Sequence, residues 1–169
     1  YMLDGTATGA AAFEEAYVNQ PTYPVENQSY GQALLYSSGT TGRPKGVKKP
    51  LNDVPWGEED PVVSNRRDRY RFNEASVYLS PAPLYHAAPL GFTMNILRYG
   101  GTCIVMENYD SETALKLIEQ YQVTHSQWVP TMFVRMLKLP IVARTKYDLS
   151  SHQVAIHAAA PCPISVKEE

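Results

Sequence analysis

From Ala75 onward the chain alternates short apolar runs with amphipathic stretches, and this alternation constrains the fold more than any other feature. The segment SVYLS (76–80) is rich in strand formers, and APLGFTMNILRYGG (88–101) reads as a helix closed by Gly100 and Gly101. TCIVME (102–107) is a second apolar run. Asp110 or Ser111 then caps ETALKLIEQYQ, where Ala114, Leu117, Ile118 and Tyr121 recur at i, i+3, i+4 and i+7 and predict one buried stripe. VTHSQWV (123–129) reads as the next strand. Pro130 suits a first helical position, and Met132, Phe133, Met136 and Leu137 give that helix its apolar face. QVAIHA (153–158) is the last strand, and Pro163 opens a further helical turn. Strands separated by helices are joined by crossovers, which are right-handed and build a largely parallel sheet covered by helices. The fold class is therefore α/β.

The first 74 residues read differently, so the chain is expected to divide into 1–74 and 75–169. AAAFEEAYVNQ (10–20) predicts a short helix. PWGEEDPVVSNRRDRYRFNE (55–74) is polar and mixed in charge, and is expected to be a surface excursion with Arg66, Arg67, Arg69 and Arg71 as a solvated face. Across 169 residues, 44% hydrophobic and 19% charged content belongs to a globular chain rather than a disordered one. A net charge of −2 gives no bulk electrostatic basis for a nucleic-acid partner. No apolar run approaches the ~20 residues of a membrane span, and no secretory signal opens the chain; peripheral membrane contact stays open. Cys103 and Cys162 are far apart without metal spacing, and read as free thiols of a reducing, cytoplasmic compartment. A start on Tyr1 and a final helical turn cut short suggest a piece of a longer protein.

Within 1–74 the informative stretch is LLYSSGTTGRPKGVKKPL (34–51). Glycines 39, 42 and 46 let the backbone approach a ligand, and successive amides in such a turn form a nest that attracts anions. Ser37, Ser38, Thr40 and Thr41 add hydroxyls, while Arg43 and Lys45 add positive charge. These parts suit a polyphosphate, although a ligand-free surface turn has the same composition. The Walker A pattern fails, because Lys45 precedes Gly46 and no helix start follows. ALLYS and GVKKP read instead as two short strands joined by the loop.

Other candidates sit in the α/β region. His86, in LYHAAP, lies between a strand and a helix, where functional loops of α/β folds occur; a partly buried helix-capping histidine is the alternative. His125 and Trp128 lie on a strand and need no role beyond the core. Ala158, Ala159, Ala160 and Pro161 are small residues at a strand end, fit either for close packing or for leaving space. His152 and His157 read as structural or exposed.

YSSGTTGRPKG closely resembles the phosphate-binding loop of the ANL superfamily of adenylate-forming enzymes. PAPLYHAAPL (81–90) resembles the second block of its acyl- and aryl-CoA ligase branch. GGTCIVMENYDSETALKLIEQYQVTHSQWVPTM (100–132) and HAAAPCP (157–163) are similar to later stretches of the same large N-terminal domain, and the likeness is greatest to bacterial fatty-acyl-CoA synthetases. The resemblance implies that a carboxylate attacks Mg-ATP to give an acyl-adenylate and pyrophosphate, after which coenzyme A displaces AMP. It implies that Ser37, Ser38, Gly39, Thr40, Thr41, Gly42 and Lys45 hold the phosphates, with Thr40 beside Mg²⁺. It implies that His86 is the catalytic residue at the substrate carboxylate, and that Tyr85, His86, Trp128, Ala159, Ala160 and Pro161 line the pocket. Relatives that activate amino acids carry an acidic residue beside the position of His86; Tyr85–Ala88 has none, which points to an uncharged acyl or aryl tail. The family's Tyr-Gly-x-Thr-Glu and Thr-Gly-Asp blocks and its C-terminal domain are not in this sequence, so the chain is expected to be inactive alone. A carrier-protein thiol as acceptor, or a non-catalytic nucleotide-binding module, remain alternatives, and oligomeric state is open.

Overall fold

The computed structural model describes residues 2–3, 5–37, 45–51 and 54–169. They form two compact units, Tyr1–Glu58 and Glu59–Glu169. In the first, α1 (Phe13–Tyr17) is a short helix, and β1 (Leu35–Ser37) pairs antiparallel with β2 (Lys45–Val47). The two strands flanking the Gly/Thr loop are thus a hairpin, with Ser37 opposite Lys45. Tyr30 stacks on Trp56 at 5.0 Å and donates its hydroxyl hydrogen to Glu58 O at 2.8 Å.

The second unit opens on α2 (Pro61–Tyr70), a ten-residue helix inside the stretch read from sequence as a polar surface excursion with no element assigned to it. Asp60 caps it by accepting from Val62 N at 2.7 Å, Pro61 occupies the first turn, and Arg71 ends it in the left-handed region at φ 59°. Tertiary packing holds it, because Tyr70 and Phe72 meet the Phe92 ring at 5.5 and 6.4 Å. The arginine cluster is accordingly more than a solvated face. Arg67 pairs with Glu59 and Asp68, each at 2.8 Å, and Arg66 lies over Phe92.

The alternating pattern then unfolds as anticipated: β3 (Val77–Ser80), α3 (Ala87–Arg98), β4 (Thr102–Val105), α4 (Ser111–Tyr121), β5 (His125–Trp128), α5 (Pro130–Leu137), the short α6 (Ile141–Arg144), β6 (Val154–His157) and α7 (Ile164–Glu168). The strands form one parallel sheet in the order β4-β3-β5-β6. The α4 stripe is rotated from the expected one. Ser111, Ala114, Leu115 and Ile118 are buried, whereas Tyr121 is 44% exposed in the last turn before Gln122 goes left-handed. One face of the sheet buries Leu79, Ala114, Ile118 and Trp128; the other buries Phe72, Tyr78, Phe92, Ile96 and Ile156. Cys103 and Cys162 are unlinked, the first half-buried with its thiol pushed up to about 11 by burial. No helix among the described residues is long and apolar enough to cross a membrane.

The middle strand β5 carries an unusual load of buried polar groups. Trp128 Nε1 donates to Ser126 Oγ at 2.5 Å, and Ser126 Oγ lies 2.7 Å from His152 Nε2. Ser126 Oγ thus bridges the Trp128 indole and the His152 imidazole. His125 Nε2 donates to Tyr70 O at 2.9 Å, and its Nδ1 lies 2.7 Å from the Thr124 hydroxyl.

Two measurements follow from this packing. A Cβ on Gly101 would lie 2.8 Å from Ser76 O and 2.9 Å from Ile96 Cγ2, so Gly101→Ala is expected to lower stability by about 1–3 kcal/mol in urea titrations. Burial lowers the pKa of His125, and burial together with His125 lowers that of His152. Below an unfolded value of about 6.5 the unfolded chain therefore binds protons that the folded chain refuses. Stability is full at pH 7.5 and falls as the pH drops toward 5.5, read as a shift in the urea midpoint. His152→Gln, which keeps a hydrogen-bonding group beside Ser126, is expected to flatten part of that slope.

Candidate functional site

A parallel sheet ends all its strands along one edge, and here the edge is divided by topology. The chain leaves β3 for β4 on one side, then returns past β3 to lay down β5 and β6 on the other. Where neighbouring connections diverge in this way, the loops part and leave a crevice outside the carboxyl ends of the strands. The β3–β5 boundary is such a switch point. The segments that border this edge are 81–86 after β3, 106–110 after β4, Val129 after β5 and 158–163 after β6.

Tyr85 and His86 sit in the first of these segments. Pro81 and Ala82 are buried and anchor it, while His86 provides the N-cap of α3 at φ −85° and ψ 146°. Its backbone N–H donates to Pro83 O at 3.2 Å, but the imidazole makes no capping hydrogen bond and is exposed. The buried capping histidine is therefore not what the structure shows. Tyr85 is 83% exposed, with its ring 4.5 Å from that of His86 and tilted by 48°.

The segment after β6 supplies the small residues. Ala158 N donates to Trp128 O at 3.1 Å, extending the β5–β6 pairing by one bond. Ala159 then adopts φ 75°, a left-handed conformation that costs an alanine about 1–3 kcal/mol and that clusters at functional sites. Ala159, Ala160 and Pro161 are all exposed, and Cys162 behind them is buried. The edge thus carries an imidazole, a phenol and a wall of methyl-sized groups.

Trp128 is placed otherwise. It is 1% exposed, between the rings of Tyr109 at 6.4 Å and Phe133 at 5.9 Å, and serves the core in this chain. His125 is likewise 3% exposed. Sequence reasoning passed over Ser80 and Gln127, each 1% exposed at the carboxyl ends of β3 and β5. Gln127 Nε2 donates to Trp128 O at 2.8 Å, while Gln127 Oε1 and Ser80 Oγ have no hydrogen-bond partner among the described residues. Polar side chains inside so short a central strand were the available signal. Tyr109 was also passed over. Its hydroxyl donates to Met132 O at 3.0 Å and its ring lies 4.6 Å from the Arg135 guanidinium, tying the β4–α4 loop to α5.

In the first unit, the β1–β2 hairpin brings Ser37 and Lys45 together at the base of the glycine-rich loop, and Lys45 is exposed. The expected phosphate ligands Ser38, Gly39, Thr40, Thr41 and Gly42, including Thr40 as the magnesium contact, lie outside the described residues, as does the Ser37 side chain. Among the described residues no group of three or more His, Cys, Asp or Glu could hold a metal ion.

Comparison with known proteins agrees with this fold. A family model described as AMP-binding enzyme matches residues 4–169. The 4-coumarate-CoA ligase 1 of Narcissus pseudonarcissus is 37% identical over 130 residues, 76% of this chain and 23% of that protein. The 4-coumarate–CoA ligase of Pinus taeda is 35% identical over 130 residues, 76% of this chain and 24% of its own length. The chain thus spans about a quarter of the length of these curated relatives. Among solved structures, ATP-bound MatB from Rhodopseudomonas palustris is 29% identical with a TM-score of 0.64, over 80% of this chain and 25% of that one. The N-terminal domain of FACL13 from Mycobacterium tuberculosis, 23% identical, shares the fold at a TM-score of 0.66 over 86% of this chain and 35% of its own. With the family model covering nearly every residue, the chain belongs to the AMP-binding enzyme family of the ANL superfamily, as a portion of its large N-terminal domain.

Proposed function

We propose that the protein carrying this chain is an ATP-dependent acid–thiol ligase of cytoplasmic location, which activates a fatty or related carboxylic acid and passes it to coenzyme A. The observation that carries this reading is the exposed, uncapped imidazole of His86 at the switch point of a parallel sheet, with no acidic side chain in the adjoining Tyr85–Ala88. Relatives named as CoA ligases support it. In the first step a carboxylate oxygen bonds to the α-phosphorus of ATP, the bond to the bridging oxygen breaks, and pyrophosphate leaves. In the second the coenzyme A sulfur attacks the acyl carbon and AMP departs. His86 orients the carboxylate and offsets charge as the mixed anhydride forms. The loop from Ser37 to Gly42, with Lys45, clamps the β- and γ-phosphates while charge moves onto pyrophosphate. Mg²⁺, carried on the nucleotide phosphates with Thr40 beside it, would neutralise that charge. Tyr85, Ala159, Ala160 and Pro161 border the acyl group.

The test uses the full-length ligase that contains this chain. Acetate, octanoate, palmitate and benzoate are offered with Mg-ATP, and pyrophosphate and AMP are quantified with and without coenzyme A. Carboxylate-dependent pyrophosphate release, with AMP turnover that requires coenzyme A, is the expected result. Pyrophosphate without thioester would move the acceptor to a carrier protein. No release with any acid would favour a non-catalytic nucleotide-binding module. His86→Ala is expected to lower kcat/KM for the acid about 10²-fold with little change in the KM for ATP. The 169-residue chain alone is expected to make no acyl-adenylate.

A further inference from the structure

A feature of the second unit that the ligase reading does not use is an open groove of about 440 Å³ along α2, lined by Pro61, Val62, Asn65, Arg66, Arg69 and Tyr70. Among the described residues those positions are all on α2 and fall on one side of the helix. Two arginines three residues apart share it, and among the described residues neither forms an ion pair. The nearby carboxylates are engaged elsewhere. Glu59 and Asp68 are both taken by Arg67, Glu59 also accepts the Tyr99 hydroxyl, and Asp60 accepts from Val62 N at the helix start.

The Arg66 cation is also held in place. Its guanidinium lies 5.5 Å from the Phe92 ring centroid, and its Nη1 is only 3.3 Å from where a Cβ on Gly91 would stand. Gly91 leaves room for the head group, and the Phe92 face attracts it. A preorganised guanidinium, a second one a turn away, and an amide on the same side of the helix match the oxygens of a phosphate group. Pro61, Val62 and Tyr70 add an apolar wall against which a flat ring can lie. The volume suits a nucleotide. A bilayer surface fits less well, since Val62, at 56% exposure, is the exposed large apolar side chain of this lining.

We propose that the α2 groove binds a soluble nucleotide phosphate, with Arg66, Arg69 and Asn65 receiving a phosphate and Tyr70, Val62 and Pro61 holding the ring. The inference does not depend on the ligase reading. The probe is adenosine 3′,5′-bisphosphate, titrated calorimetrically into the full-length protein that contains this chain, without any turnover. Saturable binding is expected, weakening as salt rises. Arg66→Gln, Arg69→Gln and Asn65→Glu are each expected to weaken it at least tenfold. Arg69→Gln and Asn65→Glu leave the Arg66–Phe92 contact alone, so an unchanged melting temperature in these two separates lost binding from lost folding. Wild-type affinity in both of them would overturn the proposal. So would equal affinity for inorganic phosphate, which would remove the ring from the site. Sedimentation with phosphatidylserine vesicles that the bisphosphate does not reverse would replace the nucleotide with a membrane surface.

Discussion

The second unit depends on one long-range join, the pairing of β3 with β5. Val77 and Thr124, 47 residues apart, are tied by three bonds: Thr124 N and the Thr124 hydroxyl donate to Val77 O at 2.8 and 3.1 Å, and Val77 N donates to the Thr124 hydroxyl at 2.9 Å. Tyr78 then stands beside His125 and Leu79 beside Ser126. With β5 on that side of β3, β4 takes the other, and the switch point falls between them. The register also decides which side chains face which layer. Leu79 and Trp128 go to the α4–α5 side, and Tyr78 and His125 to the α3 side.

This arrangement explains why so polar a strand can be central. His125, Ser126 and Gln127 would be costly in an apolar core without partners. Ser126 instead links Trp128 to His152, and His125 reaches back to the Tyr70 carbonyl at the end of α2. The His125 bond ties the end of α2 to β5, and Tyr70 and Arg66 meet Phe92 of α3, so that the arginine-lined side of α2 is presented on a fixed helix. Burial lowers the pKa of the His125 and His152 imidazoles, while the exposed His86 stands at the strand edge where the neighbouring loops diverge.

Much of the fold was legible because β5 and β6, like β3 and β4, are separated by helices with clear caps and apolar faces. Asp110 capped α4 and Pro130 opened α5 in the places their chemistry demands. The reading failed at α2, whose ten residues carry so much charge that no apolar face stands out; its burial comes from Tyr70 and Phe72 just at its end. It also slipped by one step on α4, where Leu115 rather than Tyr121 meets the sheet, because periodicity gives a stripe but not its rotation. For the site, His86 and the small residues 159–161 were visible in sequence, whereas Ser80, Gln127 and Tyr109 are placed by the packing of elements far apart in the chain.

The sequence by itself determined the alternation of strands and helices, the hairpin around the glycine-rich loop and the residues that can carry the chemistry, since these follow from local propensity, capping and spacing. Only the tertiary structure decided the strand order, and with it that His86 is exposed at the β3–β5 switch point while Trp128 and His125 are buried. Local periodicity says that a side chain lies on one face of its element, but which neighbour covers that face is settled by hydrogen bonds and packing between residues distant along the chain.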